Sequence, residues 1–355
     1  DLNFLDETVA WRREDNFEKT ERREPISVHI DKLIATIRSR FIAGTTLIRY
    51  GNGDWNDALQ PVDTTKRDWM VSSWTVALLY QQLCRYAVIL QRKGATSQAD
   101  EFSCLAADMR ADFNKYLMRD GTVAGYAVFK PEGGAPDLLI HPSDTHTGVF
   151  YSLIPMTQAI LGELFTPEQA QHHLDLIRKH LLFVDGARLM DKPIAYHGGL
   201  EKIFRRAESS AFFGREIGLM YTHSHLRYGE AMSALNESQA LREALLTVNP
   251  ISVTERVKTA SLRQRNTYFS SSDAAFRDRY HASDDWARVK NNAIAFDGGW
   301  RIYSSGPGVY TNILIQQALG VRRYFGERIV KPTLPSSLGF SLEWPERLGG
   351  AQHKP

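Results

Sequence analysis

Residues 69–90, WMVSSWTVALLYQQLCRYAVIL, carry apolar side chains that recur at steps of three and four. The positions that share this spacing are Val71, Trp74, Leu78, Leu79, Leu83, Tyr86 and Leu90. Such steps bring side chains to one broad face of an α-helix, and an apolar face of this width has to be buried. The stretch therefore predicts a long amphipathic helix that packs against other elements.

Much of the remaining chain also has helical spacing. Further helices are predicted at about 27–43, 98–117, 145–162 and 209–235. The sequence Thr166-Pro167-Glu168-Gln169 has the form of a capping box, with proline at the first helical position, so another helix is expected to begin there. Gly320 is a typical left-handed terminator for a last helix.

Long loops rich in Gly, Asp and Trp separate these helices. They lie at 44–68, 119–144, 184–208 and 263–308. Loops longer than about 15 residues in a compact domain are usually functional. The sequence lacks alternating strand and helix patterns and a Gly-rich phosphate fingerprint, which argues against a doubly wound nucleotide fold. Helices paired by such loops favour a toroid of helical hairpins with the loops over one end, although other helical bundles fit as well.

Composition excludes several classes of protein. The 355 residues are 24% charged and 43% hydrophobic, which is typical of a folded globular protein. Lys and Arg number 43 against 41 Asp and Glu, and this balance excludes an electrostatic nucleic-acid binder. No run of apolar residues is long enough to span a membrane. Two cysteines are too few for a disulfide scaffold or a four-cysteine zinc site.

The strongest candidate for a binding site is residues 49–61, RYGNGDWNDALQP. Two carboxylates, an amide and a large aromatic ring stand in a row at Asp54, Trp55, Asn56 and Asp57. A saccharide site needs this mixture, because the ring stacks on the sugar, polar groups bind its hydroxyls, and a carboxylic acid protonates the glycosidic oxygen. The alternative is a turn in which Asn56 and Asp57 cap the next helix.

Two further segments have the chemistry of an anion site. In GREIGLMYTHSHLRYGEA, residues 214–231, the spacing of His223 and His225 is wrong for a zinc pair on one helix face, whereas a histidine beside arginine suits phosphate. In FDGGWRIYSSGPGVYTN, residues 296–312, hydroxyls and glycines precede a helix, and a helix N-terminus attracts anions. A helix with ordinary polar residues and a plain capping loop remain the respective alternatives.

Two weaker segments read as helix starts. HPSDTHTG, residues 141–148, has metal-ligand types at His141, Asp144 and His146, but it favours a loop with Ser143 or Asp144 as N-cap. SSSDAAFRDRY, residues 270–280, predicts another helix start, with Ser272 or Asp273 as the cap.

Taken in order, these segments resemble the inverting phosphorylases of glycoside hydrolase family 94. The resemblance rests on GNGDWND, on Tyr221-Thr222-His223, and on GGWRIYSSGPG followed by ALGVRR. It covers nearly all of the chain, and the sequence around these motifs most resembles that of members that act on β-1,2-linked glucans. It implies an all-α fold, part of an (α/α)6 barrel over residues 1–328, with the start of a C-terminal β domain or tail at 329–355. The chain is then expected to be a piece of a longer protein.

The resemblance also implies roles for individual residues. Asp57 corresponds to the general acid that ends the Asp-Trp-Asn-Asp string. The residues that correspond to substrate contacts are Asp54, Trp55 and Asn56, with Arg49 and Arg215 added by position only. The residues that correspond to the phosphate site are His223, Ser305 and Gly306. No metal and no cofactor is implied, since inorganic phosphate is a co-substrate.

The implied reaction is inverting phosphorolysis of β-1,2-glucooligosaccharides to α-glucose 1-phosphate and a shortened glucan. The expected partners are a β-linked glucooligosaccharide and inorganic phosphate, with no nucleic acid and no membrane, and the expected compartment is the cytoplasm. Alternatives are a phosphorylase for another β-glucoside such as cellobiose, and a non-catalytic glucan-binding fragment. An inverting hydrolase is also open; it needs a second carboxylate, for which Glu201, Glu208 and Glu216 are the candidates.

Overall fold

The structure is a computed structural model that describes most of the chain. The described residues are 2–196, 198–210, 220–263, 269–299, 305–335, 337–339, 342–343 and 352–353. The α-helices within them are α1 (Ile26–Arg38), α2 (Ser73–Lys93), α3 (Thr96–Asp112), α4 (Leu153–Leu161), α5 (Pro167–Leu176), α6 (Arg205–Ser209), α7 (Thr222–Ala234), α8 (Ser238–Thr247), α9 (Val253–Arg256), α10 (Arg279–Asp284), α11 (Ala287–Lys290) and α12 (Ser305–Ile313).

Helix α2 carries the predicted apolar stripe from Trp74 to Leu90, whereas Val71 lies in the strand Met70–Ser72 that precedes the helix. The Ser72 hydroxyl accepts a hydrogen bond from the Thr75 N–H at the start of α2, and Gly94 ends the helix in the left-handed conformation. The capping box at Thr166 and Gln169 is formed at the start of α5, as the sequence predicts. Gly320 is also left-handed, at a φ of +71°. These ends are confirmed because each depends on neighbours in sequence.

The helices pack in two layers. Helix α2 packs against α4, α4 against α7, and α7 against α12, so these four form an inner row. Helices α3, α5 and α8 cover α2, α4 and α7 from outside. Every residue of α4 from Leu153 to Ile160 is buried, as expected for a helix enclosed on all sides. The helix-rich fold is therefore confirmed, while closure into a six-hairpin barrel stays a prediction.

Several predicted helix bounds are wrong. The segment predicted at 145–162 becomes helical only at Leu153, because the Asp144 carboxylate instead closes a loop by accepting the N–H groups of Ile140, His146 and Thr147. The helix predicted at 27–43 ends at Arg38. Of the helix predicted at 209–235, only Ser209, the last residue of α6, and α7 are helical in the described part; Met220–Tyr221 is a strand, and residues 211–219 lie outside the described residues. Helix α8 has no counterpart among the predicted helices.

The strands are short and lie mainly in the loops. They are β1 (Thr8–Arg12), β2 (Lys19–Pro25), β3 (Met70–Ser72), β4 (Met118–Arg119), β5 (Thr122–Val123), β6 (Tyr126–Val128), β7 (Asp137–Leu139), β8 (Leu182–Phe183), β9 (Gly186–Ala187), β10 (Met220–Tyr221), β11 (Ser271–Ala274), β12 (Phe296–Gly298), β13 (Val321–Tyr324), β14 (Glu327–Val330), β15 (Leu342–Glu343) and β16 (Gln352–His353). Strand β11 corrects the helix start predicted at Ser272 or Asp273; that helix is α10, which Asp278 caps.

One three-stranded sheet brings two inner helices to a common edge. Its order is β10-β11-β12, and both outer strands are antiparallel to β11. Strands β10 and β12 therefore run in the same direction and end at the same edge. Strand β10 leads directly into α7, and β12 lies upstream of α12. The starts of α7 and α12 therefore lie side by side.

The last described elements are the antiparallel hairpin β13–β14 and the pair β15–β16. Whether they begin a separate β domain stays a prediction, as does the division at residue 328. Among the helices that the structure describes, none has the length and apolar character needed to cross a membrane.

Candidate active site

Asp54 anchors the Asp-Trp-Asn-Asp loop, residues 54–57, through hydrogen bonds. Its Oδ2 atom accepts a hydrogen bond from the Tyr126 hydroxyl at 3.0 Å, and Oδ1 accepts one from the Asn56 N–H at 2.8 Å. Burial raises the pKa of the Asp54 carboxyl above its ordinary value. Asp54 thus ties the loop to strand β6. Its predicted contact with substrate stays a prediction.

Asn56 caps a short turn inside the loop. Its side chain is buried, and Oδ1 accepts the N–H of Ala58 at 3.3 Å at the start of a 3-10 turn over Asp57–Leu59. The capping alternative predicted from sequence is therefore real for Asn56. Because Asn56 faces inward, the turn it caps holds the neighbouring Trp55 and Asp57 in place.

Trp55 lies in a group of aromatic rings. The centroid of its ring is 5.5 Å from that of Tyr221, 5.7 Å from that of His223 and 6.5 Å from that of Trp74. Trp55, Trp74 and His223 line a cavity of about 670 Å³ whose wall is formed by α2, α4 and α7 and continues beyond α12. The cavity is large enough for sugar units, and its aromatic and amide lining suits them.

Asp57 is held by an arginine of α6, which is far away in the sequence. Arg206 Nη1 donates to Asp57 Oδ2 at 2.9 Å, and both side chains are nearly half exposed. The pairing is set by the backbone: the Val62 N–H donates to the Ile203 carbonyl at 2.9 Å, and the Arg205 N–H donates to the Gln60 carbonyl at 3.0 Å. The strip that joins residues 60–62 to 203–205 therefore places Arg206 beside Asp57.

The segment that carries Arg206 is itself rigid. The buried Glu208 carboxylate accepts the N–H groups of Lys202, Ile203 and Phe204 at 2.6 to 2.7 Å. Phe204 is fully buried, with its ring centroid 5.6 Å from that of Tyr126. Because Tyr126 also hydrogen-bonds Asp54, the loop at Asp54–Asp57 and the segment that carries Arg206 pack on the same core.

The two histidines near the start of α7 have different surroundings. His225 is fully buried, where Nδ1 accepts the Ala187 N–H at 2.9 Å and Nε2 bonds the Ala244 carbonyl at 2.8 Å. It joins structural elements. His223 instead lines the cavity, where burial, with a smaller effect from the positive charge of Arg227, lowers its pKa to about 4. A neutral His223 retains one ring N–H to donate.

The remaining predicted residues fall in three classes. Gly306 is buried near the start of α12, beside α7, whereas the side chain of Ser305 lies outside the described residues. Arg215 also lies outside them. Arg49 Nη1 binds Asp68 Oδ1 at 3.0 Å, and nothing in its described contacts joins it to the aromatic group around Trp55.

Sequence reasoning missed some residues of the site. Arg227 follows His223 by one helical turn, a spacing that could have flagged it. Trp74 belongs to the apolar stripe, which hides its place in the cavity wall. Arg206 and Tyr126 gave no signal, since each reaches the loop from far along the chain. No group of three or more His, Cys, Asp or Glu in the described part of the chain is placed to hold a metal ion.

Comparison with known proteins agrees with the resemblance seen in the motifs. Over 338 residues the chain is 43% identical to a 1,2-beta-oligoglucan phosphorylase from Listeria innocua serovar 6a. The chain is a homologue of this phosphorylase. The match covers 95% of the chain and 30% of the relative, so the chain spans about a third of the relative's length. The predicted resemblance is confirmed, although no family model matches the chain.

One solved structure has a related fold. The match to a solved structure named "Sialidase" covers 86% of this chain and 25% of the sialidase chain, with a TM-score of 0.52 at 10% sequence identity. At that identity the likeness concerns the fold alone.

Proposed function

We propose that the chain carries the acid and phosphate sites of an inverting phosphorylase that acts on β-1,2-linked glucooligosaccharides. One observation carries the proposal: the Trp55 ring, two residues before Asp57, makes an edge contact with the His223 ring. The acid motif and the phosphate motif, 166 positions apart in sequence, thus meet at one end of the inner helices. The homology to a phosphorylase supports the same reaction.

The proposed mechanism needs a single carboxylic acid. Phosphate, bound by His223 and the start of α12, attacks the anomeric carbon while the bond to the glycosidic oxygen breaks. Asp57 gives its proton to the departing oxygen through an oxocarbenium-like transition state. The phosphate hydroxyl proton returns to Asp57, so the acid is regenerated without water. Inversion of a β-linkage gives α-glucose 1-phosphate and a glucan one unit shorter.

A hydrolase would need a second carboxylate as base, and the candidates fit that role poorly. Glu208 is buried, and three backbone N–H groups occupy its oxygens. Glu201 is hydrogen-bonded by the Ser209 hydroxyl. Glu216 lies outside the described residues. Phosphate as nucleophile removes the need for such a base.

The test is product analysis with a panel of β-linked glucans, with and without inorganic phosphate. We expect α-glucose 1-phosphate from β-1,2-glucooligosaccharides in the presence of phosphate only. Free glucose without phosphate would identify a hydrolase, and preferred turnover of cellobiose would reassign the linkage. Glucan binding without any product would identify a non-catalytic binding protein.

A further inference from the structure

A pair of buried charges lies outside the site described above. Arg188 is completely buried, and its Nη2 donates to Asp185 Oδ2 at 2.7 Å. Its guanidinium carbon lies 5.0 Å from the ring centre of Phe183, 5.5 Å from that of Trp286 and 5.7 Å from that of Phe296. These rings cover the guanidinium and keep it from water.

Two further charged side chains, Arg263 and Asp273, lie near this pair. Asp273, on strand β11, is acted on by the positive charges of Arg188 and Arg263, and its Oδ1 accepts the Ser271 hydroxyl at 2.7 Å. Burial raises the pKa of Asp273. Two aspartates and two arginines, namely Asp185, Arg188, Arg263 and Asp273, thus form a buried-charge cluster, and the negative charge of the nearby Asp297 also acts on Arg263.

The cluster lies against the sheet that delivers the proposed phosphate residues. In that sheet Ser272 of β11 stands opposite Met220 of β10 on one side and Gly298 of β12 on the other. A cavity of about 30 Å³ touches Asp185, Arg263 and Ser272 and reaches Thr222, the residue before His223. The central strand that fixes the spacing of β10 and β12 is therefore the strand that carries Asp273.

Stability alone does not require such a cluster. Apolar residues of similar volume often replace a buried ion pair with no loss of stability. What they do not replace is the direction of the hydrogen bond from Arg188 to Asp185, which holds the guanidinium against Phe296 of β12.

We propose that the buried-charge cluster is a positioning device for the phosphate site. It fixes β12 through the contact of Arg188 with Phe296, and through the sheet it fixes the separation of His223 from Gly306. The inference rests on the proposed function, because it assumes that these two residues bind phosphate together. The residues of the cluster are positioning residues and do not touch substrate.

The test compares phosphate affinity with glucan affinity in the purified protein. The double variant Asp185→Asn/Arg188→Met removes both charges of one pair and keeps the side-chain volumes. We expect it to fold, with a phosphate KM raised about tenfold or more and with little change in the glucan KM or in kcat at saturating phosphate. Arg188→Lys keeps the charge without the planar fork, so its phosphate KM should be raised by only about threefold.

The control is Asp112→Asn. Asp112 accepts the N–H and hydroxyl of Thr46 far from the sheet, so its loss tests a partly buried polar contact without moving β11. We expect an unchanged phosphate KM. If the role of the cluster were only structural, the double variant and Asp112→Asn would both change in thermal stability, and neither would change in phosphate KM.

The outcomes separate this inference from the proposed function. Calorimetry with inorganic phosphate first asks whether the wild-type protein binds phosphate; no binding would refute the proposed function and this inference with it. If the wild type binds and the folded double variant binds equally well, only the positioning role is refuted. If the double variant does not fold, Arg188→Lys decides, and an unchanged phosphate KM there also refutes it.

Discussion

Replacing Asp57 by asparagine tests the proposed acid directly. The side chain keeps its size and its place beside Arg206 but has no proton to transfer. The ion pair that is lost is nearly half exposed, with 44% of the Asp57 side chain and 47% of the Arg206 side chain accessible. An exposed pair of this kind contributes less than about 1 kcal/mol, so the variant is expected to fold.

The effect on catalysis should be much larger. General acid catalysis contributes roughly 100- to 10,000-fold, so kcat should fall by that factor, or about 3 to 5 kcal/mol of transition-state stabilisation. The assay is release of α-glucose 1-phosphate from β-1,2-glucotriose at saturating phosphate. Glucan affinity should remain near that of the wild type, because the amide still hydrogen-bonds.

A matched control and an activated substrate make the test specific. Glu101→Gln removes an ion pair of similar exposure with Arg38 in the outer layer and should leave kcat unchanged. A β-glucosyl fluoride needs little protonation of its leaving group, so Asp57→Asn should recover most of its activity on it. Turnover of the triose within tenfold of wild type, or an equal loss on both substrates, would refute the role of Asp57 as acid.

Three other changes test the site and the fold. His223→Ala removes a hydrogen bond to an anion, so the phosphate KM should rise roughly 10- to 100-fold in steady-state kinetics. An unchanged phosphate KM would exclude His223 from the phosphate site. His173 is buried with its pKa lowered to about 4 from 6.5, so the unfolded chain binds more protons between these values, and stability falls as pH falls through them. This one group should lower the free energy of unfolding by roughly 3 kcal/mol at pH 4. In urea unfolding from pH 7 to pH 4, the free energy of unfolding should depend less on pH in His173→Gln than in the wild type, and an equal slope would contradict the assignment. Gly320→Ala places a Cβ atom 2.0 Å from the Lys331 backbone at a φ of +71°, so calorimetry should show a lowered Tm and a loss of more than about 1 kcal/mol, and an unchanged Tm would contradict the geometry.

Local patterns in the sequence are enough to predict the ends of some helices but not of others. The cap at Ser72 and the box at Thr166 depend on residues within one turn, and both form. Ser271 to Ala274 looks like a cap locally, yet its partners in β10 and β12 make it a strand. Pairing with residues far along the chain overrides the local preference of Ser and Asp for helix starts.

The same distinction applies to the site. The order of residue types at Asp54 to Asp57 fits either a sugar site or a capped turn, and the structure shows the cap at Asn56. The contact of Trp55 with His223 and the pairing of Asp57 with Arg206 depend on how the loops assemble, which single-sequence patterns do not encode. Arg206 stands in an ordinary run of charged residues, and only the strip between residues 60–62 and 203–205 gives it a role.

That strip has a consequence for how the protein is made. Asp57 and its arginine are 149 positions apart. A ribosome that adds about 5 to 20 residues per second needs roughly 7 to 30 s to travel between them. For that interval the loop that carries Asp57 has no strip to dock on, and Tyr126, which binds Asp54 in the folded protein, is added only about halfway through it.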